Sequence, residues 1–540
     1  MNSFIQENTY KEIGLLEMMN RIEPLCSLGR DMKSRMMPFL PGREKDLEKD
    51  LDRVSYCKDV MQHKKKLAVE IESIISHVKD IRGSLKRANS GIALDVVELY
   101  EIKNFLFQLN ELDECLQKLD LDISVTPIKQ LETLLDPEKT GRHTFYIENS
   151  YSRRLKWIRE QKKNIELSIK EERDSLQKEI ENTFGHKINP RGEIVVSKGD
   201  DKEQLISEMK NSPNLVYLRE NFSSVIFAPR PTKTLTQLED KLMKFKLKEE
   251  EEEYNIRKKL TADISRYFDI LMKNSENIGI IDLLFAKAKL GVQINGIKPH
   301  IQSEQRIHIK GGRHPIVEEN LRKKRLNYTP IDIDLNNPVV LITGVNMGGK
   351  TATLKMVGLL VAMAQYGLLV PADSMEFSLR NFIFLSGSSG ESLAEGLSAF
   401  GAEIKSIGET IKRKDDLGLI LIDELARGTN PPEGIAIASA VIETFKKRNS
   451  ITVITTHFHE LSQIPGIVHL QVKGLLDVDL NAIKTNIANK GILGVEALNS
   501  LMDYRLIEVK GETPPPRDAI KVARLMGFDE ETLKLAEKYL

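Results

Sequence analysis

Apolar residues recur at helical spacing through roughly the first 145 positions, as at Leu47, Leu51 and Val54, which stand four and three apart. The pattern breaks between Pro38 and Gly42 and again at Pro137, so it predicts a bundle of several helices joined by short loops. From Tyr151 the stripe lengthens. Leu155, Ile158, Ile165, Ile169, Leu176 and Ile180 follow a rough heptad, with Lys162 and Glu172 at two of its positions. A second stripe runs through Leu235, Leu238, Leu242 and Phe245, then after a polar gap through Ile256, Leu260, Ile264, Tyr267 and Leu271. Two long helices of matching length and near-coiled-coil period predict an antiparallel pair. The acidic run Glu249 to Glu253 falls inside the second helix and reads as a solvated face, with Lys244, Lys246 and Lys248 in register for salt bridges.

Between the two stripes, residues 185–233 change character. Gly185, Pro190, Gly192, Gly199, Pro213, Pro229 and Pro231 punctuate short β-like runs such as Ile194-Val195-Val196 and Ser224-Val225-Ile226-Phe227. The pattern predicts a small module carried at the tip of the helical hairpin. After Gly291 apolar β runs (338–343, 417–422 and 451–455) alternate with helical stretches, as in an α/β domain with a largely parallel sheet. Thr513-Pro514-Pro515-Pro516 is a stiff spacer before a last helical segment, Arg517 to Leu540, a candidate dimerisation element.

Composition narrows the partners. The chain has 540 residues with 79 Lys+Arg against 79 Asp+Glu, so no global positive field recruits a polyanion. The tip region from Lys187 to Lys233 is only +2, from eight Lys/Arg and six Asp/Glu. The start Met1-Asn2-Ser3-Phe4 lacks a basic segment followed by an apolar stretch, and Met356 to Val370 is too short and too interrupted to span a bilayer. Cys26, Cys57 and Cys115 are odd in number and widely spaced, which reads as buried thiols in a reducing compartment. The expectation is a cytoplasmic protein with no membrane partner.

The chemistry concentrates in three places. Val339-Val340-Leu341-Ile342-Thr343 leads into Gly344-Val345-Asn346-Met347-Gly348-Gly349-Lys350-Thr351 and then a helical run. Strand, glycine loop and helix in that order let backbone N–H groups and a helix N-terminus close around phosphates. Lys350 would reach the β- and γ-phosphates, and the Thr351 hydroxyl would ligate Mg²⁺. Leu419-Ile420-Leu421-Ile422-Asp423-Glu424 is an apolar strand ending in two acids. Asp423 would hold the metal, and Glu424, one step further, would orient or deprotonate the attacking water. His457, just beyond the strand 451–455, stands where a γ-phosphate sensor belongs, while His459-Glu460 beside it lacks further ligands at metal spacing.

These motifs resemble those of one family, the MutS ATPases, ABC-type P-loop proteins best known from DNA mismatch repair. Thr343 to Thr351 is similar to the family's TGPNMGGKS, Asp423-Glu424-Leu425-Ala426-Arg427-Gly428-Thr429 to DELGRGT, and Thr456-His457-Phe458-His459-Glu460-Leu461 to THYHEL. Ser392 to Phe400 resembles DLASGRSTF, whose serine, here Ser398, contacts the nucleotide of the partner subunit. Gly312-Arg313-His314-Pro315 looks like the family's GRHP, and Tyr328-Thr329-Pro330 sits where the family places an aromatic beside the adenine. Ile281-Asp282 through Ala288, the two long helices and Gly29-Arg30 resemble the family's lever, clamp and core by pattern.

The resemblance implies a multidomain chain: an all-α core and long lever helices with a small β-containing clamp, then an α/β P-loop ATPase domain of the ABC type. The expected ranges are 1–150 for the helical core, 151–184 for the ascending lever, 185–233 for the clamp-like tip, 234–300 for the descending lever and core return, 301–512 for the ATPase domain and 513–540 for the tail. It implies a homodimer using ATP and Mg²⁺. The chain is expected to lack the mismatch-reading domain with its Phe-x-Glu wedge, the connector domain, and the nuclease domain of the other MutS branch. Thr351 replaces the usual Ser, Leu397 replaces Arg, and Asn430-Pro431-Pro432-Glu433 stands for Ser-Thr-Phe-Asp. Two clients fit. One is double-stranded DNA, gripped without mismatch reading, where Lys187, Arg191, Lys198, Arg219, Arg230 and Lys233 meet phosphates. The other is a client enzyme, by similarity to the MutS-related ATPase subunit proposed to reactivate an adenosylcobalamin-dependent lysine aminomutase.

Overall fold

The computed structural model describes residues 3–138, 144–344, 349–386, 399–426, 429–474, 502–509 and 528–539, together with Ile520, Ala523 and Arg524. In chain order its principal helices are α1 (Glu44–His63), α2 (Arg153–Phe184), α3 (Lys233–Ser265), α4 (Phe268–Gln293), α5 (Lys350–Gln365), α6 (Ala399–Lys412) and α7 (Pro431–Phe445). The chain divides into two compact units: residues 1–77, 115–124 and 276–540 in one, and 78–114 and 125–275 in the other.

The second unit holds the helical hairpin. Leu155, Ile158, Ile165, Ile169, Leu176 and Ile180, the apolar stripe of α2, are its buried positions. Ile158, Ile165 and Ile169 pack with Leu235 and Phe245 of α3, with Leu238 and Leu242 at the margin. The second stripe is broken into two helices, α3 ending at Ser265 and α4 starting at Phe268. The acidic run is paired differently from the sequence expectation. Glu249 takes Arg159 at 2.8 Å and also Lys162, and Glu253 takes Arg159 at 2.7 Å, so these acids bridge to α2 rather than to lysines of their own helix. The reason is geometric: residues 159 and 162 sit one turn apart on the facing helix, within reach of the same carboxylate.

Between the hairpin helices lies a three-stranded antiparallel sheet, β1 (Ile194–Ser197), β2 (Leu215–Glu220) and β3 (Ser224–Pro229), with β3 central. Its inward face (Ile194, Val196, Val225, Phe227) closes on Leu176 and Ile180 of α2 and on Met209 from a short helix, Glu203–Asn211.

The first unit is built on two sheets. The strands are β4 (His300–Ile301), β5 (Ile307–Gly312), β6 (Ile331–Leu335), β7 (Val339–Thr343), β8 (Ser374–Phe377), β9 (Phe382–Ser386), β10 (Gly418–Ile422), β11 (Ile451–Thr455), β12 (Val468–Gly474) and β13 (Asp503–Glu508). Six of them form a sheet in the order β13-β12-β7-β11-β10-β9, parallel except for the β12–β13 pair. β7, β9, β10 and β11 are buried at every position, as expected for strands covered on both faces. The other sheet runs β4-β8-β5-β6. Helix α5 lies between them, with thirteen of its sixteen residues buried, which is why its sequence is apolar all round rather than striped.

The N-terminal segment belongs to this same core. Phe4, Ile13, Leu15, Met18, Ile22, Leu47 and Leu51 cluster with Leu354, Val357, Leu419 and Val453. The Phe4 carbonyl accepts the Ile383 N–H at 2.8 Å, and the Gln365 carbonyl accepts the Phe39 N–H at 2.7 Å. Cys26, Cys57 and Cys115 are all buried thiols. Among the described residues no helix is long and apolar enough to cross a membrane. In the C-terminal region the described residues include a helix, Glu530–Glu537, N-capped by Asp529.

Candidate active site

The parallel order of the sheet sends the C-terminal ends of β7, β10 and β11 to the same edge. Three sequence-distant segments therefore meet there: Gly344 after β7, Asp423-Glu424 after β10, and Thr456-His457 after β11. Helix α5 starts directly at Lys350 behind Gly349, whose φ of +79° is a left-handed conformation that glycine adopts without a side-chain penalty. That backbone turns the first N–H groups of α5 toward the sheet edge, where the helix carries partial positive charge.

Lys350 is 5 % exposed, and its ammonium donates to the Gly344 carbonyl at 2.8 Å. Thr351 donates its hydroxyl to Asp423 Oδ2 at 2.7 Å, and Thr455 donates to Asp423 Oδ1 at 2.7 Å. The same Thr455 hydroxyl accepts the Glu424 N–H at 2.8 Å. Glu424 then reaches outward, its Oε1 standing 2.8 Å from His457 Nε2. Asp423 is thus held at both oxygens, and Glu424 points away from it toward the imidazole. The strand end splits two adjacent acids between two tasks, one facing Thr351 and one facing His457.

A hydroxyl and a carboxylate 2.7 Å apart, at the start of a helix, form the hard-oxygen set that suits Mg²⁺, an ion that takes its remaining ligands from water and phosphate. The residues present therefore fit a magnesium ion. Val345, Asn346, Met347, Gly348 and Ser398 lie outside the described residues.

Tyr328 lies on the other side of Gly349. A cavity of about 380 Å³ is lined there by Leu321, Tyr328, Thr353, Met502 and Tyr504 together with Gly349. A Cβ on Gly349 would come 3.0 Å from the Tyr504 ring, so the loop and the ring are in direct contact. Burial pushes the phenol of Tyr328 up to about 12 and also raises that of Tyr504, so both rings stay neutral and present flat apolar faces. Tyr504 on β13 and Met502 just before it come from far along the chain, and no local pattern in the sequence singles them out; the antiparallel pairing of β13 on β12 brings them here. Thr455 was legible only as the last residue of a strand. Its double role follows from the neighbouring register of β10 and β11, in which Ile422 pairs with Ile454.

A family model, MutS domain V, matches residues 340–540, the segment that supplies Lys350, Asp423, Glu424, His457 and Tyr504. The chain is also similar, over most of its length, to proteins named Endonuclease MutS2. That of Halothermothrix orenii is 27% identical over 484 residues, covering 85% of this chain and 58% of the relative. Those of Caldanaerobacter subterraneus and Acetivibrio thermocellus are 27% and 30% identical, covering 92% and 85% of this chain and 61% and 57% of the relatives.

These matches support a place in the MutS family.

It spans about three fifths of the length of these MutS2 relatives. The similarity extends well upstream of the matched domain V, so the resemblance to MutS proteins is not confined to residues 340–540.

Proposed function

We propose that this MutS-family chain is a Mg²⁺-dependent ATP hydrolase that works as a dimeric conformational switch on double-stranded DNA, without reading mismatches. The observation that carries the hydrolytic part is the division of labour at the end of β10: Asp423 beside Thr351, and Glu424 at 2.8 Å from His457. In this reading the backbone around Gly349 and the ammonium of Lys350 hold the triphosphate, and the adenine lies in the cavity between Tyr328 and Tyr504. Thr351 and Asp423 hold Mg²⁺, which when bound neutralises phosphate charge. Glu424 orients the attacking water and accepts its proton, and His457 positions Glu424 and senses the terminal phosphate. Ser398 of each subunit completes the site of the other. Closure and opening of the pair drive the hairpin.

The test of the hydrolytic part is Glu424→Gln. The amide keeps size and hydrogen bonding but not basicity, so kcat should fall at least about 100-fold while MgATP binding persists. Normal turnover by that variant would remove Glu424 from the role given to it.

A second reading, a remodelling ATPase whose client is an enzyme such as a cobalamin-dependent aminomutase, draws support from the tip sheet. Arg219 is paired with Glu193 at 2.9 Å, and Lys198 with Glu220 at 3.7 Å, so part of the small cationic excess is spent internally. The salt dependence of DNA binding separates the two. A clamp on several phosphates loses affinity steeply as salt rises, and duplex DNA changes its ATPase rate. Absence of binding at low salt favours the protein client.

A further inference from the structure

The segment after β10 carries an unusual backbone. Glu424 has φ +54° and Ala426 φ +61°, two non-glycine residues in the left-handed region with only Leu425 between them. Such a residue is strained and persists only where its surroundings hold it. Leu425 and Ala426 are both buried, so their N–H groups cannot turn to water. Three successive N–H groups are taken up by neighbours. Glu424 donates to the Thr455 hydroxyl at 2.8 Å and Leu425 to the Thr455 carbonyl at 3.4 Å, both at the end of β11. Ala426 donates in the opposite direction, to Oε1 of Glu403 on α6 at 3.4 Å.

We propose that Glu403 is a positioning residue for hydrolysis: by accepting the Ala426 N–H it fixes the strained segment 424–426 between α6 and β11 and so aims the Glu424 carboxylate at His457. The inference rests on the reading of Glu424 given above. Glu403 touches neither nucleotide nor metal in that reading. It acts through the peptide chain two residues beyond Glu424, where a change of backbone angle swings the side chain. The contact is at the long end of a hydrogen bond, which leaves it room to tighten or release as α6 shifts. Burial pushes the Glu403 carboxyl up to about 7 despite the opposing pull of the Ala426 N–H. Both protonation states retain an oxygen that accepts, so acceptance rather than charge is the property at stake.

Two conservative variants of the full chain separate those properties. Glu403→Gln keeps length and an acceptor oxygen; Glu403→Asp keeps the charge but is one methylene too short. Hydrogen–deuterium exchange of the peptide covering Ala426 and steady-state ATPase kinetics are measured on both. E403Q should retain protection at Ala426 and a kcat within twofold of the wild type. E403D should exchange faster there and lose about tenfold in kcat with KM for ATP unchanged. Wild-type protection and kcat in E403D would overturn the proposal, as would an E403Q that falls as far as E403D, or a KM that moves as much as kcat. A wild-type chain that does not hydrolyse ATP would overturn the assignment of Glu424 instead, while the exchange measurement still decides whether Glu403 holds the segment.

Discussion

At the residue scale, burial decides what a titratable side chain can do. His314 follows β5 and is 3 % exposed, against the backbone of Ile13 and Gly14 from the N-terminal helices. Burial pulls its pKa from 6.5 to about 4. A histidine held below its ordinary value keeps the folded state from taking up a proton that the unfolded state accepts. Its contribution is therefore full above about pH 6.5 and is lost as pH falls toward 4, by about 2 kcal/mol between pH 7 and pH 5. Glu403, raised to about 7, acts in the opposite sense over the same range. The contribution of His314 is read as the difference in urea-unfolding free energy between wild type and His314→Gln, which should shrink as the pH is lowered from 7 to 5. A difference independent of pH would show that the imidazole is not held neutral.

At the element scale, the hairpin shows how a visible pattern meets an invisible one. The heptad stripe of α2 was legible because burial on one helix face imposes a period that survives in a single segment. The ion pairs were not, because the partner of Glu249 is decided by which residue faces it across the hairpin. Arg159 is the hub: it donates to Glu249 at 2.8 Å, to Glu253 at 2.7 Å, to the Ile147 carbonyl at 2.8 Å and to Asn149 at 2.9 Å. Burial pushes the Glu249 carboxyl up, but Lys162 and Arg159 outweigh it and hold the group below its ordinary value. Arg159→Ala should cost about 1–3 kcal/mol in urea unfolding, since it strips several charge-assisted bonds from partly buried acceptors. Glu250→Ala, at an exposed position on the same helix, serves as the control and should change stability by less than about 0.5 kcal/mol. Equal effects would reduce the cross-hairpin pairs to surface decoration.

At the scale of the molecule, the N-terminal segment and the six-stranded sheet share one core. Gln365, 0 % exposed near the end of α5, donates its side-chain amide to the Phe39 carbonyl at 2.7 Å and to the Arg380 carbonyl at 2.9 Å. Residues 1–77 thus supply both apolar cover and hydrogen-bond partners to the unit that holds the candidate site. A chain lacking residues 1–77 should lose cooperative thermal unfolding and aggregate, even though every residue of the glycine loop and of β10 is retained. Recovery of a soluble fragment with a sharp melt and wild-type MgATP binding would contradict this.

The sequence by itself determined the local content: the glycine loop between strand and helix, the acids at the end of an apolar strand, and the stripes of the long helices. Each is written in contiguous residues because its physics is local, whether hydrogen-bond closure around an anion or burial of one face. Tertiary structure alone decided the rest. The pairing of β13 on β12 carries Tyr504 to Gly349, the register of β10 and β11 sets Thr455 between Asp423 and Glu424, and the approach of α6 places Glu403 under Ala426. Those contacts join residues tens to hundreds of positions apart, and no periodicity records them, because one strand or helix chooses its neighbour only when the whole core closes.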